Sequence, residues 1–205
     1  PRADLKDLAK QESEPVKNAK ATVMADTAEI KADATVSGDG GKIILWSDEY
    51  TGFYGDLFAR GGVEGGNGGF VETSSMVNLQ AMGSVLTSSA SGNGGIWLLD
   101  PLNVTIADPG VTALPVSNIF TPAAINSQVA VASVNAALNN LGLGGTVTIT
   151  TDGSAISATG NAVNEDGDIT VAAAVTDGGA GGSLILVADN NIEISGTINI
   201  TGDLT

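Results

Sequence analysis

Asn164-Glu-Asp-Gly-Asp168 gathers three carboxylates around a glycine, the oxygen-rich setting a hard cation such as calcium takes. The run lacks EF-hand spacing and belongs to no Gly-Gly-x-Gly-x-Asp array. Asp166 and Asp168 are therefore weak calcium candidates beside the plainer reading of a charged β-turn. The same acids, with Glu72 and Asp100, are of the type a glycoside-cleaving pair uses. Asp100 precedes Pro101, however, and an Asp-Pro step reads first as a corner. Two sequons, Asn103-Val-Thr105 and Asn199-Ile-Thr201, offer asparagines for glycosylation. Trp46 and Trp97 take equivalent places after Gly-Gly pairs; each can stack on a sugar, but an aromatic within an apolar strand is first a core anchor.

Composition removes other chemistries. The chain has no cysteine and no histidine, so thiolate and imidazole metal sites and His-based nucleophile pairs are absent. No catalytic set and no cofactor is expected. All eight cations lie at or before Arg60, whereas residues 61–205 carry twelve carboxylates and no cation. Phosphate backbones and anionic lipid surfaces need Lys and Arg, so nucleic acid and charged membranes are poor partners. A net charge of −15 instead describes a solvated acidic shell. No run approaches 18 apolar residues, and no membrane span is expected.

The elements that would position any site follow one rhythm. Five times a Gly-Gly pair is followed at once by strand formers, beginning at Lys42, Phe70, Ile96, Thr146 and Ser183. Glycine's tolerance of positive φ is expected to set the corners. Further strands are expected at Ala21–Ala25, Ala28–Ala32, Gly52–Phe58, Met76–Gln80, Val104–Ile106, Asp168–Val171, Asn191–Ser195 and Thr197–Thr201. A recurring unit of this kind stacks on copies of itself. The fold class is expected to be all-β, a right-handed parallel β-helix with a short helical insertion. Residues 1–20 read as a charged insertion or flexible segment, and 21–205 as the coil body. Residues 107–142 interrupt that body with a loop and a helix over Ser133–Gly142, Ser133 as its N-cap and Gly142 at its stop.

Residues 19–106 resemble the filamentous-haemagglutinin-like exoproteins of bacterial two-partner secretion, including the high-molecular-weight adhesin type. The resemblance is carried by Ser37-Gly-Asp-Gly-Gly-Lys-Ile-Ile-Leu-Trp-Ser-Asp48, Phe53-Tyr-Gly55, Ala59-Arg-Gly-Gly62, Gly65-Gly-Asn-Gly-Gly-Phe-Val-Glu-Thr-Ser74 and Trp97-Leu-Leu-Asp-Pro101, in that order. It implies a non-enzymatic segment of a large secreted adhesin on a Gram-negative cell surface, acting in adhesion, aggregation or biofilm. Its implied partners are host-cell or matrix glycans or proteins, or further copies of itself. An outer-membrane transporter would act through a domain outside this chain, because the family's Asn-Pro-Asn-Gly type signature does not occur here. Sugars at such sequon asparagines are likewise what the resemblance implies. The alternative is a β-helical protein that binds or cleaves polysaccharide.

Overall fold

The structure, a computed structural model, describes residues 17–108, 127–151 and 167–205. Its first strands are β1 (Ala21–Met24), β2 (Glu29–Lys31), β3 (Lys42–Leu45), β4 (Tyr50–Phe53), β5 (Asp56–Phe58) and β6 (Phe70–Thr73). Next come β7 (Asn78–Ala81), β8 (Ser84–Leu86), β9 (Ile96–Leu99), β10 (Val104–Ala107) and β11 (Ser127–Ala130). One helix, α1 (Val131–Asn140), precedes β12 (Thr146–Thr150), β13 (Ile169–Val171), β14 (Val175–Thr176), β15 (Ser183–Val187), β16 (Ile192–Ile194) and β17 (Ile198–Asn199).

The strands form four parallel sheets. Seven lie in the order β1-β4-β7-β11-β10-β13-β16 and five in the order β15-β12-β9-β6-β3. The others are the three-stranded β2-β5-β8 and the two-stranded β14-β17. From β1 to β9 the chain visits the seven-, three- and five-stranded sheets in the same sequence three times over. Lys42 pairs with Phe70, and Phe70 with Ile96, which are steps of 28 and 26 residues.

Alternation along each strand sends every second side chain inward. In the five-stranded sheet Ile43, Val71, Trp97, Val147 and Leu184 stand in one register column, and all are buried. The Trp97 ring meets Phe53 edge-on at 6.4 Å, and its indole N–H donates to Thr73 Oγ1 at 3.0 Å. That gives the largest buried side chain both its packing and its one polar partner. Trp46 is not its equivalent. It lies beyond the end of β3, half-buried, with its carbonyl accepting the Thr22 hydroxyl at 3.0 Å.

The first three Gly-Gly pairs work by closeness, whereas Gly144 and Gly181 of the last two have φ of 75° and 81°. None of Gly40, Gly41, Gly68, Gly69, Gly94 and Gly95 has positive φ. A Cβ on Gly69 would instead overlap the Gly41 carbonyl oxygen, and one on Gly68 the Thr87 carbonyl oxygen. Just before these pairs an Asx ladder ties the rounds together: Asp39 Oδ1 accepts the Asn67 N–H at 2.6 Å, and Asn67 Oδ1 the Asn93 N–H at 3.0 Å.

Three expectations are corrected. Gly52–Phe58 is two strands, because the chain bends at Tyr54-Gly55 between different sheets. A Cβ on Gly55 would overlap the Ala28 carbonyl oxygen, so only glycine turns this close to the preceding round. The helix begins at Val131, directly after β11, and Ser133 is buried in its first turn. Ala130 holds the N-cap position with no side-chain hydrogen bond. The β11 strand was missed altogether, since Ser-Gln-Val-Ala carries no turn signal ahead of it. Gly142, at φ 76°, does stand at the helix stop.

The helix replaces strands. Val134, Ala137 and Leu138 are buried, and α1 packs against β8 on one side and β14 on the other. It thereby separates the three- and two-stranded sheets, which would otherwise be neighbours along one side. A helix is about 10 Å wide with its side chains, close to two strand spacings of about 4.8 Å. The seven-stranded sheet has two strands, β11 and β10, between β7 and β13.

Candidate functional site

The sequence candidates fall into separate places. Asp168 precedes β13 at a corner of the seven-stranded sheet. Its Oδ1 accepts the Asn191 backbone N–H at 3.0 Å and the side-chain amides of Asn190 and Asn191 at 2.9 and 3.1 Å. Asn103 stands one round away; its Oδ1 accepts the N–H of Gly167 at 2.9 Å and of Asp168 at 2.7 Å. Asn103, Asp168 and Asn191 thus form a polar corner ladder just ahead of the registered residues Val104, Ile169 and Ile192. A small recess of about 180 Å³ lies beside it, lined by Asn103, Thr105, Ser127, Asp168 and Thr170 among others. Asp166 lies outside the described residues. Among the described residues no group of three or more acidic side chains could hold a metal ion.

Among the described residues the carboxylates proposed for glycoside cleavage do not meet at this corner, and Glu165, like Asp166, lies outside them. Glu72 is in β6, and Asp100 follows β9, where its Oδ1 accepts the Thr150 hydroxyl at 2.7 Å. Both belong to the five-stranded sheet, whereas Asp168 belongs to the seven-stranded one. Of the two sequons, Asn103 is half-buried with its amide oxygen engaged in the ladder, while Asn199 is exposed on β17. The Thr201 hydroxyl of that second sequon is bound to Asp177 at 2.6 Å.

Asp177 is a site that sequence reasoning missed. It is buried after β14, and its two oxygens accept the N–H of Gly179, Gly181 and Thr201 together with the Thr201 hydroxyl. The Thr201 hydroxyl is foremost in holding this carboxyl well below the usual carboxylate range. An Asp-Gly-Gly run ahead of a Gly-Gly pair was the available signal, because an Asx side chain readily caps its own turn. Elsewhere, burial first and then the bond to Tyr54 (2.9 Å between hydroxyls) raise the Tyr50 phenol.

The outward side of the five-stranded sheet was also missed. Between its inward residues it presents Ile44, Phe70, Ile96, Leu98, Ile185 and Val187. Ile44, Ile96 and Val187 are 48, 43 and 53% exposed. Lys42 and Glu72 are the only charged residues in these five strands. The Lys42 ammonium sits 4.8 Å from the centre of the Phe70 ring. Along the edge of this side, the stacked glycines 40–41, 68–69 and 94–95 floor a trough of about 480 Å³, flanked by Asp39, Lys42, Phe70 and Ile96. By contrast, the outward residues at one level of the seven-stranded sheet are Gln80, Gln128, Thr105, Thr170 and Glu193.

Among the described residues no helix is long and apolar enough to cross a membrane. No protein-family model and no curated protein matches the chain.

Proposed function

We propose that the chain is a right-handed parallel β-helix serving as a shaft segment of a secreted adhesin on the surface of a Gram-negative cell. The observation that carries this reading is the repeated visit to three parallel sheets, with register partners 26 to 29 residues apart. A chain that pairs each round with the one before it grows along one axis, and each round satisfies the backbone of its neighbour. Rigidity then comes from ladders and a continuous core without disulfides, which suits a spacer. The acidic charge keeps such a body soluble, and the separated carboxylates support a non-enzymatic role. Binding to host or matrix glycans or proteins, and export through an outer-membrane transporter, belong to other parts of the protein on this reading.

A whole-round deletion tests it. Removing residues 42–69, one step of 28, joins Gly41 to Phe70 with the register kept. In the full-length protein on its native cell, display and attachment should survive, with the projection shortened by about 5 Å. Retained display with lost attachment would overturn the spacer role. The second reading, a polysaccharide-binding β-helix, draws on the trough beside Phe70 and Ile96, and that same loss would favour it.

A further inference from the structure

The outward side of the five-stranded sheet is built to pair with its equal. We infer that two copies of this chain associate through that side, about a two-fold axis, with Lys42 of each copy facing Glu72 of the other.

The argument begins with contrast. From β7 to β16 the outward residues at one level of the seven-stranded sheet are amides, hydroxyls and a carboxylate, with Val23 of β1 and Gly52 of β4 at the same level. Those of the three-stranded sheet include Glu29, Lys31 and Asp56, with Lys31 and Arg60 over the Phe58 ring at 5.3 and 5.1 Å. On the five-stranded sheet Ile44, Phe70, Ile96 and Leu98 of β3, β6 and β9 form one apolar patch, bounded on the side toward β15 by Thr146, Thr148 and Thr150 of β12. A contiguous apolar surface on a rigid sheet marks a protein contact rather than a solvated wall.

The charges then select the occupant. Lys42 pairs in register with Phe70, and Ile44 with Glu72, so the four outward residues form a quartet with the two charges at opposite corners. Lys42 takes part in none of the ion pairs among the described residues, which join Lys20 to Glu49, Lys31 to Glu29 and Arg60 to Asp33. A two-fold axis lying between two such sides and crossing that diagonal brings each Lys42 opposite a Glu72. Two ion pairs then flank the apolar contact, with Phe70 and Ile44 near the axis. An isologous interface needs this self-complementarity, and a partner with a surface of one sign would leave one of the charges opposed. The absence of side chains along the glycine trough allows close approach.

The test is sedimentation equilibrium of the 205-residue chain over a wide concentration range. The wild type should show a reversible monomer–dimer equilibrium. Ile44→Glu or Ile96→Glu should leave a monomer with an unchanged circular-dichroism spectrum, since both side chains are already largely exposed. Lys42→Glu or Glu72→Lys alone should weaken the dimer about tenfold through like charges across the axis. The double reversal Lys42→Glu with Glu72→Lys should bring the affinity back toward wild type, an outcome a generic apolar contact would not give. A wild-type monomer at every concentration overturns the proposal. So does a dimer that survives Ile44→Glu but is lost in Ile194→Glu, which would place association at the exposed β16 end. A monomer that is retarded only on a polysaccharide affinity gel, and no longer in Ile44→Glu, assigns this side to a glycan and also overturns it. Whether the chain is monomer or dimer leaves the shaft reading to the round deletion, whereas retention by the glycan would favour the second reading over it.

Discussion

Residues 21–99 and residues 104–199 build the same kind of wall by different means. In the first region nine strands fall into three rounds, and each step reuses the corner device of an Asx side chain followed by two glycines. In the second, one position along the wall is taken by a helix, and the steps between register partners in the five-stranded sheet grow to 50 and 37 residues. What the two share is the inward column through Ile43, Val71, Trp97, Val147 and Leu184, which runs unbroken across both. Continuity of the core, rather than constancy of the repeat, is what carries one region into the other.

That comparison can be broken most forcefully at Trp97. Truncation to alanine removes the largest side chain of the shared column and should cost about 3–5 kcal/mol. Urea unfolding followed by circular dichroism would measure it, and hydrogen exchange should weaken in both regions at once. Leu138→Ala empties the contact of α1 and should cost about 3 kcal/mol. Here the loss of amide protection should fall on residues 127–199 and on β8, against which α1 packs, and should spare β3 and β6. Equal loss over 21–99 would erase the distinction between the regions.

The glycine ladder sharpens the contrast further. Gly69→Ala would press a methyl group onto the Gly41 carbonyl and should destabilise by about 1–3 kcal/mol, read from the shift in the urea midpoint. Gly179 has open space around it and φ of 89°, so alanine there meets only backbone strain of about 1 kcal/mol. Gly69 is thus fixed by crowding and Gly179 by conformation.

Asp177 makes the end of the second region sensitive to acid. Its native carboxyl titrates below the usual range, so its contribution is complete above the ordinary aspartate value, about 3.9. Stability is lost as pH falls below that value and through the lower native one. Amide protection at residues 198–201 should therefore drop below about pH 4 before that of β3 or β6, and Asp177→Asn should abolish the dependence. The smallest effect belongs to the exposed Arg60–Asp33 pair of the first region. Its guanidinium lies 2.7 Å from the carboxylate, and Arg60→Ala should change the unfolding free energy by less than about 1 kcal/mol.

Much of the first region could be read from residues. Alternating or fully apolar runs after glycine pairs located β3, β6, β9, β12 and β15, because both a crowded corner and a pleated wall leave marks on composition. The functional sides were harder. An outward Ile44 or Ile96 looks the same in sequence as an inward Ile43, since both faces of such strands are apolar and periodicity falls silent. At the first three pairs glycine's role was misassigned for a similar reason, as crowding and positive φ select the same residue; at Gly144 and Gly181 positive φ is indeed the reason. Two-residue β14 and the three-residue β8 carry too little pattern to register at all. Asp177 was hidden because its partner Thr201 lies one round away, at a distance in sequence no local motif spans.

The position of β11 has a consequence for how the chain must assemble. It lies between β7 and β10, both of which precede it in the chain, and its own Ser127 hydroxyl accepts the Leu79 N–H at 2.9 Å. A wall laid down strictly in order of emergence would close that slot before its occupant arrived. Zippering that starts from the amino-terminal end would pause after β9, with the seat beside β7 open until residues 127–130 enter it. A polypeptide that emerges end-first through a narrow exit would meet that pause on every molecule.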